Sequence, residues 1–100
     1  MTTVKVTKEY IEVKGHSGYD IAGRDIVCAG ISVLIQATYN YMKVTGNRVA
    51  KEVMDGYYKI TIEELGEYGK GIIEQFKKMV KDMEKEYGRY IKGEYDENIR

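Results

Sequence analysis

The chain of 100 residues is the length of one ordinary domain, enough for a single hydrophobic core and too short for two, so residues 1–100 are expected to fold together. Its 16 basic and 16 acidic side chains balance, which removes the global field that draws a protein onto nucleic acid or anionic lipid. A single cysteine excludes an internal disulfide and is most easily kept reduced in the cytosol; the start MTTVKVTKEY has neither a signal-peptide core nor a membrane-spanning run, so a cytoplasmic protein is expected.

Val4 and Val6 alternate with Lys5 and Thr7, and Ile11 and Val13 with Glu12 and Lys14, the period of two half-buried strands. The segment Gly15-His16-Ser17-Gly18-Tyr19-Asp20-Ile21-Ala22-Gly23 holds three glycines in nine residues and predicts a loop, with His16 where the strand gives way to it. Asp25 to about Tyr41 is apolar on nearly every face and carries no charge after Asp25, which predicts a helix buried in the core. After the Thr45-Gly46-Asn47 turn, Val49–Val53 and Tyr57–Ile62 read as a hairpin closed at Asp55-Gly56, where positive φ is tolerated. Ile72, Ile73, Phe76, Met79, Val80, Met83 and Tyr87 then form the stripe of an amphipathic helix, and Arg89–Glu94 can add a short strand. The expected fold is α+β and two-layered: an antiparallel sheet of four to five strands with two helices on one face.

Cys28 is the residue best suited to covalent chemistry. With Asp25 as the helix N-cap, Cys28 falls in the first turn, where unpaired N–H groups and the positive end of the helix dipole favour a thiolate. The same N–H groups are candidates for the oxyanion of a tetrahedral intermediate. His16 is the only histidine, and the loop after it is long enough to fold back toward the thiol. Asp25 either orients the imidazole or caps the helix, and Ser32 lies one turn after Cys28 on the same face, within reach of the sulfur or of a helix carbonyl.

Each of these residues also has a plainer reading. A lone cysteine in an apolar run is most often a small core residue, a lone histidine in a glycine-rich loop most often a surface residue, and an aspartate at this position most often a cap. Other chemistries fit less well. A serine nucleophile elbow needs glycine where Tyr19 stands, and one histidine with one cysteine leaves a zinc site two ligands short. The glycines match neither a dinucleotide nor a phosphate-loop spacing, so no cofactor and no metal are expected. Lysines near residues 77–85 are interleaved with acids, which argues for a solvated helix face over an RNA-binding patch.

Together, Gly15-His16-Ser17-Gly18-Tyr19, Gly23-Arg24-Asp25-Ile26-Val27-Cys28-Ala29 and Ser32 resemble the ribosomal-processing cysteine protease family, known as Prp. The motif spans about a fifth of the chain, and the order of elements fits that family's small α+β fold. The resemblance implies that His16 and Cys28 are the catalytic pair, that Gly15, Asp25 and Ser32 support the site, and that Ser17, Gly18, Tyr19 and Gly23 belong to a substrate-contacting loop able to open and close. It further implies a homodimeric endopeptidase whose partner is a peptide segment of a ribosomal protein precursor: a short N-terminal extension, ending in aromatic residues, on a large-subunit protein. Neither direct nucleic-acid nor membrane contact is implied. Ser17 and Gly30 stand where alanine is common, and Asp20-Ile21-Ala22 departs from the usual loop. A phage or prophage relative that processes a capsid or scaffold protein, and a noncatalytic protein-binding module of the same fold, remain alternatives.

Overall fold

The computed structural model describes residues 1–21 and 23–96. In chain order it holds β1 (Thr2–Val6), β2 (Tyr10–Lys14), α1 (Ile26–Val44), β3 (Arg48–Met54), β4 (Tyr57–Glu64), α2 (Gly69–Tyr87) and β5 (Ile91–Tyr95). The strands form one sheet in the order β3-β4-β2-β1-β5.

Register puts the alternating apolar residues on one face. Val4 stands opposite Val13 and Val6 opposite Ile11, while Ile11 and Val13 stand opposite Ile60 and Tyr58 of β4. All six are buried, and Ile31 and Ile35 of α1 with Ile73, Phe76 and Val80 of α2 complete the core. Burial of this face drives the assembly, and the outward side chains, such as Lys5 and Glu52, meet solvent.

The two-layer α+β architecture agrees with the sequence, but the sheet is mixed rather than antiparallel. β5 pairs with β1 in parallel, with Thr2 opposite Ile91 and Val6 opposite Tyr95. The cause is connectivity: β4 runs antiparallel to β2 and therefore in the same sense as β1. α2 carries the chain back across the sheet, so β5 enters in the direction of β4.

A second correction concerns α1. Val27, Ile31, Ile35, Thr38 and Met42 face inward, but Val33 is 67% exposed and Val44 78% exposed. With the two helices side by side on one face of the sheet, no third layer among the described residues covers the outer side of α1. Met79 of the α2 stripe likewise falls at the solvent edge. Among the described residues no helix is long and apolar enough to cross a membrane.

Candidate active site

The site is built on the loop between β2 and α1. Asp25 is the N-cap of α1, and its Oδ1 accepts hydrogen bonds from the N–H groups of Val27 at 3.0 Å and Cys28 at 2.9 Å. Its Oδ2 gathers the loop, accepting from Ser17 Oγ–H at 2.5 Å, Tyr19 N–H at 3.0 Å and Asp20 N–H at 3.3 Å. Desolvation raises the Asp25 carboxyl, but the hydrogen bonds from Ser17, Cys28, Asp20 and Tyr19 outweigh it and hold the group at about 2, below its ordinary 3.8. Asp25 is therefore the anion around which the loop folds, and among the described residues no hydrogen bond or ion pair joins it to His16.

Cys28 sits in the first turn of α1, partly buried and free of any disulfide. Ser17, only 3% exposed, contacts it twice. Its N–H donates to Cys28 Sγ at 3.2 Å, and the thiol in turn donates to Ser17 Oγ at 3.4 Å. The thiol, the Ser17 hydroxyl and the Asp25 carboxylate thus form one hydrogen-bonded chain. The N–H groups of Val27 and Cys28, expected from sequence to be open to an oxyanion, are both taken by the cap. The amide donor aimed at the sulfur comes from Ser17 instead.

His16 precedes Ser17, and its side chain is 68% exposed. Among the described residues no hydrogen bond joins its imidazole to Cys28; Nε2 stands 3.9 Å from Asp55 Oδ2 in the β3–β4 turn. Both residues nevertheless line one open groove of about 570 Å³, which runs between the start of α1 and the β3–β4 hairpin past Ser32, Ile35, Val53 and Tyr58. Its lining mixes apolar side chains, such as Ile31, Ile35 and Met54, with polar ones, such as Ser32, Gln36 and Lys51, and the groove is open along its length, a form that can admit an extended peptide.

The remaining predicted positions divide. Gly15 has φ +92°, and a Cβ there would lie 2.7 Å from the Met1 carbonyl oxygen, so the residue that carries the chain into His16 has to be glycine. Gly18 and Gly23 also have positive φ, and the Tyr19 ring packs edge-on against Tyr87 and Tyr90, which anchors the loop to the far end of α2. Ser32 lines the groove, and its Oγ accepts from Gln36 Nε2 at 3.3 Å; among the described residues no hydrogen bond joins it to the sulfur or to a helix carbonyl. Two residues escaped the sequence reading: Asp55 and Gly56 were legible as a turn, but no local signal says that the turn lands on His16. Among the described residues no cluster of three or more His, Cys, Asp or Glu could hold a metal ion.

No curated protein matches the sequence. Among solved structures, the chain is similar to an essential ribosomal processing protease Prp from S. aureus in complex with a covalently linked product peptide. That likeness has a TM-score of 0.84 at 24% identity, covering 96% of this chain and 100% of that one. The same protease in complex with a substrate peptide matches with a TM-score of 0.78 at 21% identity over 95% and 97% of the two chains. SMU.848 from Streptococcus mutans matches with a TM-score of 0.71 at 24% identity over 94% and 90%. Identities this low establish a shared fold, and the family comes from the sequence itself, which matches cysteine protease Prp over residues 1–92. With that match spanning the first four strands, both helices and the start of the last strand, the chain belongs to the cysteine protease Prp family and is a cysteine protease.

Proposed function

We propose that this protease is an endopeptidase that removes a short N-terminal extension from a large-subunit ribosomal protein precursor, with Cys28 as nucleophile and His16 as its base. The observation that carries the reading is the placement of Cys28 in the first turn of α1, with the Ser17 N–H on its sulfur and His16 in the same groove. The S. aureus relatives, described as ribosomal processing proteases with substrate and product peptides, support the substrate class.

In the mechanism, His16 takes the thiol proton and the sulfur attacks the scissile carbonyl carbon. As the sulfur moves onto carbon, the Ser17 N–H is left beside the developing oxyanion, which it stabilises. Protonated His16 then gives its proton to the departing amine, and water hydrolyses the acyl-enzyme. Ser17, Gly18, Tyr19 and Gly23 border the bound peptide, and Gly15, Asp25 and Ser32 support the site. The working form is a cytoplasmic homodimer. Ile26, Gly30, Val33, Ala37, Tyr41 and Val44 support that part of the reading, as they form an exposed uncharged stripe along α1.

Incubation with candidate precursor proteins, with the products read by mass, tests the assignment. Cleavage is expected at one site near the precursor N-terminus, and Cys28→Ala and His16→Ala each lower kcat by more than about 10³-fold with an unchanged circular dichroism spectrum. Undiminished cleavage by either variant removes that residue from the mechanism.

A further inference from the structure

His16 is the only imidazole in the chain, and its ring is largely open to solvent. The β3–β4 turn lies against it. The Gly15 N–H donates to the Gly56 carbonyl at 2.8 Å, which ties the backbone just before His16 to the turn. Gly56 has φ +68°, and a Cβ there would lie 2.8 Å from His16 Nε2 and 3.3 Å from Cε1, so the ring rests against a surface that only glycine leaves free. Asp55, the other turn residue, places Oδ2 3.9 Å from the same nitrogen, an ion-pair distance that a small rotation of either exposed side chain closes.

We propose that the Asp55-Gly56 turn positions His16, with Asp55 engaging Nε2 and leaving Nδ1 as the nitrogen that takes the Cys28 proton. The inference rests on the reading of His16 as the base. A neutral imidazole carries one N–H, and the nitrogen beside a carboxylate is the one that keeps it. Asp55 thus selects the tautomer whose Nδ1 is unprotonated. Nδ1 is also the ring nitrogen nearest the main chain, and the next residue, Ser17, already gives its N–H to Cys28 Sγ at 3.2 Å. When the thiol proton moves to Nδ1, the ring becomes an imidazolium whose Nε2–H faces Asp55, so the positive charge forms beside a carboxylate. Gly56 supplies the wall that stops the ring from turning away. The device joins residues about 40 positions apart in sequence, which is why no local motif announces it.

The test uses the full chain and a fluorescence-quenched peptide with aromatic residues ahead of the cut. Asp55→Asn keeps a turn-forming residue at a side chain that is 98% exposed, so the fold is retained. Exposed ion pairs are weak, so kcat is expected to fall about three- to fivefold at unchanged KM, with partial recovery in Asp55→Glu. Gly56→Ala is expected to lower kcat further. The ¹⁵N spectrum, simplified by the single histidine, is expected to show neutral His16 with Nδ1 unprotonated, and its Nε2–H signal moves in Asp55→Asn. Unchanged kcat in Asp55→Asn alongside an inactive His16→Ala, or a neutral ring protonated at Nδ1, overturns the positioning role and leaves the active site standing. Full activity in His16→Ala overturns the active-site reading itself.

Discussion

Asp25 illustrates how one side chain is shared between folding and the site. One oxygen closes the start of α1 and the other holds Ser17, Tyr19 and Asp20, so the nucleophile's helix and the loop behind it are fixed to the same carboxylate. Its capping role was legible from Asp25 standing three residues before Cys28, whereas its grip on the loop was not, since that depends on a fold-back the sequence does not encode locally. The pH consequence has a definite sign. A carboxyl held at about 2 in the folded chain, against 3.8 ordinarily, adds stability that is fully present above pH 4 and is lost as pH falls through about 2. Asp25→Asn keeps one oxygen for capping but presents an N–H₂ group to the loop donors. Urea unfolding at a series of pH values is expected to show a variant less stable at neutral pH, with a flatter decline between pH 4 and pH 2. Parallel declines for the two proteins count against Asp25 as the anion of the loop.

At the scale of elements, the β3–β4 hairpin was read correctly because turn chemistry and alternation are both local, although only Gly56 of its two central residues adopts positive φ. The direction of β5 was not legible, because strand polarity at a sheet edge follows from where α2 delivers the chain. α1 misled for a related reason. Periodicity marks which residues can be buried, but two helices on one face leave an outer side whatever its composition. α2 shows the contrast within one stripe: Phe76 is 1% exposed and Met79 39% exposed, although both follow the apolar period. Phe76→Ala is expected to cost about 3–5 kcal/mol in denaturant unfolding, and Met79→Ala to stay within about 1 kcal/mol. Similar losses for the two would mean that α2 is rotated from the orientation described.

For the molecule as a whole, the residues that carry the proposed chemistry were legible as types and spacings, and the groove that unites them was not. The groove needs α1 to cross the sheet so that Cys28 and Ile35 face Val53 and Tyr58, and that crossing is set by core packing. The same crossing leaves the uncharged stripe from Ile26 to Val44 facing solvent. Beside it a shallow groove of about 450 Å³ between α1 and α2, bordered by Leu34, Ala37, Tyr41, Tyr68 and Ile72, extends the apolar surface. A second copy of the chain is the proposed cover. Because an isologous contact places the same stripe on both partners, one substitution alters the interface twice. Val33→Glu puts a charge at the middle of the stripe at a site 67% exposed in the single chain, and glutamate suits a helix better than valine, so the monomer fold is retained. Sedimentation equilibrium is expected to give twice the single-chain mass for the parent protein and a shift toward the single-chain mass for the variant, with like charges facing each other across the two-fold axis. A parent protein that sediments as a monomer at tens of micromolar, or a variant that dimerises equally well, would place the dimer contact elsewhere or remove it.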